Sequence, residues 1–468
     1  MANLFSSLGV TANAMRVFEQ AIDVTGNNVT NASTPGYARQ RTTLQAMAFD
    51  PLNGTIGGVS TGEVQNARDE YAEAQVRRQV QAWGENDQKA TSLAALENIF
   101  PVAEGTGLAD ALNDLSSSFS AWSANPSSQT LREDVLAQAD TVARAFQQAG
   151  NSLTQMASDT DEQIRQAVDQ VNSLGSQLQA LNQQRRNNGT ADAGLDANLH
   201  ATLESLAEWV DFTVAQQPDG TVTVLLGGQT PLVMGDRLYP IQAGTGDTTS
   251  SAVLPNTTIV SSDGREVTSQ ISSGRLGGLL DVRNRILPSF LGDSSQPGDL
   301  NRLAQGVADQ INQILTSGLV TDGPPPVAGI PLFQYDAANP ARTLSVNSDI
   351  TADQLAAIDA GPPYSSNGTA RKLANAVTET GQIDGTSLAG FYGNLSARAG
   401  REVNSAQQGR DDGQQMVAQA RSQRDQLSGV SLDEEAMYLM EFQRAYQATA
   451  KMVTVLDDML ETTINLVR

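Results

Sequence analysis

Side chains able to do nucleophilic, redox or metal chemistry are scarce in this 468-residue sequence. It has no cysteine and one histidine, His200. Without thiols there is no disulfide, thiolate nucleophile, iron–sulfur cluster or Cys-ligated zinc. A single histidine excludes a His-rich metal site and a paired-histidine relay. His200 lies in Leu199-His200-Ala201-Thr202-Leu203 with no motif around it. It reads as a helix position, on the surface or on a half-buried face. The 52 acidic side chains could form an acid–base pair in space, but no spacing singles one out. The phosphate-binding loop, the dinucleotide-binding glycine motif, HExxH and the EF-hand loop are all missing. Triplets such as Asn367-Gly368-Thr369 arise by chance in a chain rich in Asn, Ser and Thr. The sequence therefore predicts no enzyme, and no catalytic, cofactor-binding or metal-binding residue.

Charge narrows the partners. Lys and Arg number 29 against 52 acidic residues, a net charge of −23. Such a surface repels phosphate backbones and anionic lipid, so neither nucleic acid nor plain membrane adsorption is expected. No apolar run approaches the ~18 residues of a membrane span, so membrane insertion is not expected. The N-terminus, MANLFSSLGVTANAMRVF, lacks a charged region followed by a compact apolar core and a cleavage site. The expectation is a cytoplasmic protein, or one exported with its N-terminus left in place. The length predicts two to four domains.

The positive signal lies at the two chain ends. Leu4, Leu8, Thr11, Met15, Phe18, Ile22, Thr25 and Val29 recur at alternating steps of four and three, a heptad seam on one helix. Asn27, Asn28, Asn31 and Pro35-Gly36 end it. At the other end, Leu439, Phe442, Tyr446, Thr449, Val453, Leu456, Leu460, Thr463 and Val467 repeat the pattern. Ala445, Met452, Met459 and Leu466 flank that seam and widen its apolar stripe. Ser431 and Glu434 have the spacing of a capping box, whose loss typically costs ~1 kcal/mol. Two helices bury too little surface to be stable alone. These must find neighbours in the rest of the chain or in other subunits.

Between the ends, helical periodicity covers about 69–100, 108–122, 129–186, 276–290, 300–319 and 387–428. Residues 38–66 read as an irregular extended linker with turns at Pro51, Asn53-Gly54 and Gly57-Gly58. Alternation sets in at Phe212-Val214 and Val222-Val224-Leu226, with Pro218-Asp219-Gly220 as the turn of a hairpin. Short strands are expected at 231–241, 257–260, 267–271 and 343–346. The fold class is therefore mainly α with a smaller β-rich part. Residues 1–66 and 429–468 would form a terminal coiled-coil domain. Residues 67–208, 276–319 and 386–428 would form a long-helix bundle, 209–275 a small β-rich domain, and 320–385 a mixed irregular segment.

Both ends also carry a resemblance. Thr25-Gly26-Asn27-Asn28-Val29-Thr30-Asn31-Ala32-Ser33-Thr34-Pro35-Gly36-Tyr37-Ala38-Arg39-Gln40 resembles the N-terminal motif of the bacterial flagellar rod, hook and hook-associated proteins. Ser428-Gly429-Val430-Ser431-Leu432-Asp433-Glu434-Glu435-Ala436, followed by Phe442-Gln443-Arg444-Ala445-Tyr446-Gln447-Ala448, resembles that family's C-terminal motif. The run from Asn125-Pro126 through Leu131-Arg132 into the long helices is similar to a helical domain of its hook-associated members. The motif residues carried over are Asn27, Asn28, Asn31, Pro35, Gly36 and Tyr37.

The resemblance implies a structural adaptor between hook and filament, exported unfolded by the flagellar type III route with an uncleaved signal. Its terminal helices would form a ring with other copies by folding on assembly. The implied interface is Leu4, Leu8, Met15, Phe18, Ile22 and Val29 with Leu439, Phe442, Tyr446, Val453, Leu456, Leu460 and Val467. The implied partners are other copies, the hook protein on one side, a second junction protein and the filament on the other, and a dedicated export chaperone on the last helix. Two rivals stand: another axial component, hook or distal rod, and a secreted adhesin or hydrolase carried on the flagellum. The long helices at 129–186 argue against a hook protein, since those are β-rich outside their ends.

Overall fold

A computed structural model describes residues 2–50, 55–101, 107–188, 192–245, 254–293, 296–361 and 364–466. The expected turn at Pro51 and Asn53-Gly54, the glycine stop at Gly189 and the seam residue Val467 lie outside the described residues. The fold is mainly α with several small antiparallel sheets.

The helices are α1 (Ala2–Asn31), α2 (Glu70–Ile99), α3 (Leu108–Ala124), α4 (Gln129–Asn188), α5 (Ala193–Trp209), α6 (Gly274–Asp281), α7 (Leu287–Leu291), α8 (Asp299–Ser317), α9 (Pro340–Thr343), α10 (Gly368–Ala376), α11 (Leu388–Ser428) and α12 (Leu432–Leu466). A π turn at Val282–Ile286 links α6 to α7. The 60-residue α4 is the spine, about 90 Å at 1.5 Å per residue.

Two apolar cores form along α4. Its first half carries Val135, Val142, Phe146 and Leu153 into a core with α3, α8, α10 and the start of α11. Residues 332–357 add Leu332, Phe333, Leu344 and Leu355 to this core. Its second half carries Ile164, Val168, Val171 and Leu178 into a core with α5 and the central sheet. That sheet runs β5 (Phe212–Gln216), β6 (Val222–Leu226), β7 (Thr230–Met234), β8 (Arg237–Leu238), all antiparallel; strands β1–β4 precede it in the chain. The β5–β6 pair is the expected hairpin, with Phe212 opposite Leu226 and Val214 opposite Val224. Asp219 closes its turn by accepting from the Thr221 backbone N–H (3.0 Å) and hydroxyl (2.7 Å). Strands β9 (Gln242–Thr245) and β10 (Thr257–Val260) pair beside the sheet.

Three local expectations are corrected. Residues 38–66 are not an irregular linker: β1 (Gln40–Ala46) and β4 (Val59–Asn66) pair antiparallel, and β2 (Phe49–Asp50) pairs with β3 (Thr55–Ile56). Threonine, valine and glutamine at 40–46 and 59–66 alternate too weakly in polarity to reveal a ribbon that is mostly solvated on both faces. Residues 268–270 form a 3₁₀ turn rather than a strand. His200 is buried, not on a surface or half-buried face.

Candidate assembly interface

The terminal helices are held to one another and to the rest of the chain by a buried polar knot. Its first member is Asn28, near the end of α1 and 1% exposed. Its amide nitrogen donates to the Gln40 carbonyl (2.9 Å) and to Glu435 Oε2 (3.0 Å). Its amide oxygen accepts from the Gln40 N–H (2.8 Å) and the Tyr37 hydroxyl (3.0 Å). All four bonding positions of the amide are filled, as a buried amide requires. Because Asn28 closes α1 and Glu435 opens α12, the two helices run antiparallel.

The chain reaches this geometry through a tight turn. Asn31 ends α1: its amide nitrogen donates to the Asn27 side-chain oxygen (2.6 Å), and its oxygen accepts from the Thr34 hydroxyl (3.2 Å). Thr34 and Tyr37 N–H groups donate to the Asn31 and Thr34 carbonyls. Gly36 has φ +73°, and a Cβ there would sit 2.4 Å from the Ala197 carbonyl oxygen of α5. Only glycine allows both this backbone conformation and this approach.

Beyond the turn, Arg39 faces both acids at the start of α12. Its Nη1 lies 2.8 Å from Glu434 and its Nε 2.6 Å from Glu435, and its guanidinium sits over the Tyr438 ring. Main-chain bonds tie the same crossing: Arg39 N–H donates to the Ser428 carbonyl, and Ala67 N–H to the Arg39 carbonyl. The Ser428 hydroxyl accepts from Asp69 N–H (3.0 Å). Burial first, then the Glu435 charge, pushes the Tyr37 hydroxyl up to about 12, so it is a neutral donor at any working pH. A cavity of about 370 Å³ opens beside the knot between Ala21, Val24, Tyr438 and Phe442.

The predicted capping box is half formed. Glu434 N–H donates to the Ser431 hydroxyl (3.4 Å). The Glu434 carboxylate does not return to residue 431, because Arg39 takes it. That is a correction to the expected reciprocal box, and its cause is a long-range charge the local motif does not contain.

The seam residues fall in two groups. On α12, Leu460 is buried, and Leu439, Phe442, Tyr446, Val453 and Leu456 are half-buried on the side facing α1. On α1, the fully buried row is Val17, Ala21, Thr25 and Asn28. Leu4, Leu8, Met15, Phe18 and Ile22 lie half-buried along the edge of that row, and Val29 is exposed. Outside the pair, α12 leaves Met437, Met440, Met452, Val455 and Met459 exposed.

The sequence reading missed Arg39, Gln40, Ser428 and Glu435 as site residues, although both terminal motifs contain them. A usable signal was present: a basic residue in one motif and a pair of acids in the other. It missed Arg68 altogether. Arg68 is buried in the linker into α2, and binds Glu73 (2.5 Å), Asp196 (2.8 Å) and the Gly36 carbonyl (2.6 Å).

Comparison with known proteins gives three family matches. Residues 93–333, just over half the chain, match the family Flagellar hook-associated protein FlgK helical domain. Residues 421–466 match Flagellar basal body rod FlgEFG protein C-terminal, and 8–37 match Flagella basal body rod protein. The chain is 27% identical to flagellar hook-associated protein 1 of Bacillus subtilis, over 99% of both chains. It is 24% identical to the Escherichia coli protein of that name, over 65% of this chain and 56% of that one. Its fold is similar to the structure of the flagellar hook junction protein FlgK from Burkholderia pseudomallei, with a TM-score of 0.64 and 15% identity, over 76% of this chain and all of that one.

Proposed function

Because the chain belongs to the flagellar hook-associated protein FlgK family, an axial and structural rather than enzymatic component of the flagellum, we propose that it joins hook to filament as a ring of identical copies. The observation that carries this reading is the apolar face that α12 turns away from α1. Met437, Met440, Met452, Val455 and Met459 have no cover among the described residues. Residues 1–66 and 429–468 are the inner domain of that ring. The long-helix bundle of 67–208, 276–319 and 386–428 stands outside it, with 209–275 outermost and 320–385 attached.

In the ring, the edge residues Leu4, Leu8, Met15, Phe18, Ile22 and Val29 and the outer side of α12 meet neighbouring copies. Ordering of the terminal pair is completed by that contact, which offsets the entropy of fixing it. Hook protein lies on one side, and a second junction protein with the filament on the other. Before export, a dedicated chaperone covers the last helix. The likeness of fold to a flagellar hook junction protein is consistent with that position. The alternative of a hook or distal rod component draws on the two terminal rod-family matches. The full-length likeness to hook-associated protein 1 favours the junction.

The test uses Leu456→Asp in a strain lacking the native gene. Leu456 lies on the half-buried face of α12, and a charge there is costly unless paired. Secreted protein, intact hooks and no filaments are expected, with the main thermal transition of the purified variant unchanged. Normal swimming rejects the paired terminal helices as a requirement of the ring. Loss of hooks in the deletion strain itself rejects the junction in favour of the rod or hook.

A further inference from the structure

We propose that the protein carries an acid-sensitive latch at the root of the terminal pair: protonation of His200 releases the Gly36 turn and its Arg68 clasp from α5. The motive is a cluster of buried charge that no part of the assembly reading uses.

His200 is 3% exposed on α5. Its Nδ1 is buried with no hydrogen-bond partner. Its Nε2 lies 3.8 Å from Glu70 and 4.0 Å from Asp196, too far for a hydrogen bond. Both carboxylates already have other partners. Asp196 Oδ2 already accepts from Arg68 (2.8 and 2.9 Å), and its Oδ1 lies 3.1 Å from Arg185. Glu70 accepts from the Gln216 amide (2.6 Å). Glu73 is taken by Arg68, and Glu204 by Arg421 and Arg424.

Beside these acids, four cations act on the ring. Arg68 comes from the linker, Arg77 from α2, Arg185 from α4 and Arg424 from α11. Arg77 is itself buried, and its Nη1 has no hydrogen-bond partner. A protonated imidazole would be a further positive charge in this cluster. Arg68 is the member that sits outside any helix, between β4 and α2. Its side chain holds the Gly36 carbonyl, and Gly36 rests on Ala197, three residues before His200. When Arg68 swings out, the turn loses its clasp.

The sign of the effect follows. Burial first, then the Arg68, Arg77, Arg185 and Arg424 charges, hold the imidazole well below its ordinary value. The unfolded or opened segment therefore takes the proton more readily. The His200 contribution is complete above about pH 6.5 and is lost as pH falls from there toward the folded value. Glu73 works oppositely: burial raises its carboxyl above the ordinary value, so the closed form holds that proton more tightly.

The histidine is unique in the chain, so its ring can be read without assignment by NMR of the full-length protein. Two measurements are made between pH 7.5 and 5: the His200 ring shift, and hydrogen exchange of residues 33–42 and 66–73, corrected for intrinsic rate. The ring should stay neutral through pH 6.5. Opening of the two segments should rise with acid, up to tenfold per pH unit as expected for one linked proton, while α4 around Phe146 stays protected. In His200→Gln that rise should vanish. The proposal is overturned by a ring midpoint near 6.5, by pH-independent protection of both segments, or by an unchanged rise in His200→Gln. If His200→Gln does not fold, the two wild-type measurements decide it.

Discussion

Helices α4 and α12 carry the same kind of apolar stripe and meet opposite fates. In α4, Val135, Val142, Phe146, Leu153, Ile164, Val171 and Leu178 are wholly buried, each against another part of the chain. In α12, among the described residues, Leu460 is the one apolar seam residue that is buried, with Thr449 beside it in the seam, and Met452, Val455 and Met459 are each more than half exposed. A stripe reports that a helix needs cover. It does not report where the cover comes from. For α4 the chain supplies it on several sides; for α12, among the described residues, it supplies chiefly α1. The anchoring differs to match. Apolar packing fixes α4, whereas a few charged and amide groups fix the root of α12.

The largest effect expected from this contrast is in α4. Phe146→Ala removes a fully buried ring and should cost about 3–5 kcal/mol, lowering the main thermal transition of the purified protein. The matched change in α12, Met452→Ser with Met459→Ser, should leave that transition within about 0.5 kcal/mol of wild type and reduce ring assembly. Equal losses of stability in the two variants would mean that the α12 stripe is covered in the monomer.

The next effect probes the root. Glu435 is 2% exposed and meets Arg39 and Asn28. Glu435→Ala leaves Arg39 buried with only the more exposed Glu434 as its acid. Breaking a buried ion pair this way costs about 3 kcal/mol. The loss should be local: limited proteolysis should release α1 and α12 faster and leave the α4 block resistant. A drop in the main transition with no change in terminal cleavage would place the knot inside the block's own fold.

Much of this contrast was legible in the sequence, and the reason lies in what is local. The α4 and α12 stripes, the β5–β6 hairpin with its Asp-Gly turn, and the start of α12 after Gly429 depend on neighbours within a few residues. The stop of α1 at Asn31 and Pro35-Gly36 is equally local. What escaped the reading depends on distant groups. Arg39 and Glu435 lie 396 positions apart, and no periodicity links them. Arg68 and His200 are single residues whose burial is set by four different segments. The β1–β4 ribbon hides because its threonines and glutamines are polar on both faces. The row that α1 buries, Val17, Ala21, Thr25 and Asn28, lies beside the heptad seam of larger side chains. Small residues there let α1 lie close to its neighbours, and a count of large apolar residues overlooks them.

The smallest expected effect separates a local cap from the long-range contact that displaced half of it. Ser431 accepts from Glu434 N–H at 3.4 Å, the long end of a hydrogen bond. Glu434 gives its carboxylate to Arg39 at 2.8 Å, and its side chain is about half exposed. A complete N-cap is worth ~1 kcal/mol, so Ser431→Ala should cost less than that, at most about 0.5 kcal/mol. Glu434→Gln keeps the helix residue but weakens a partly exposed ion pair, an interaction worth about 0.2–1 kcal/mol. The two changes touch adjacent groups, so a double-mutant cycle on terminal hydrogen exchange reads their coupling. Near-additive losses are expected, because the cap and the Arg39 pair use different atoms of residue 434. Strong coupling between Ser431 and Glu434 would restore the reciprocal box in solution. In that case the hold of Arg39 on α12 would rest on Glu435 alone.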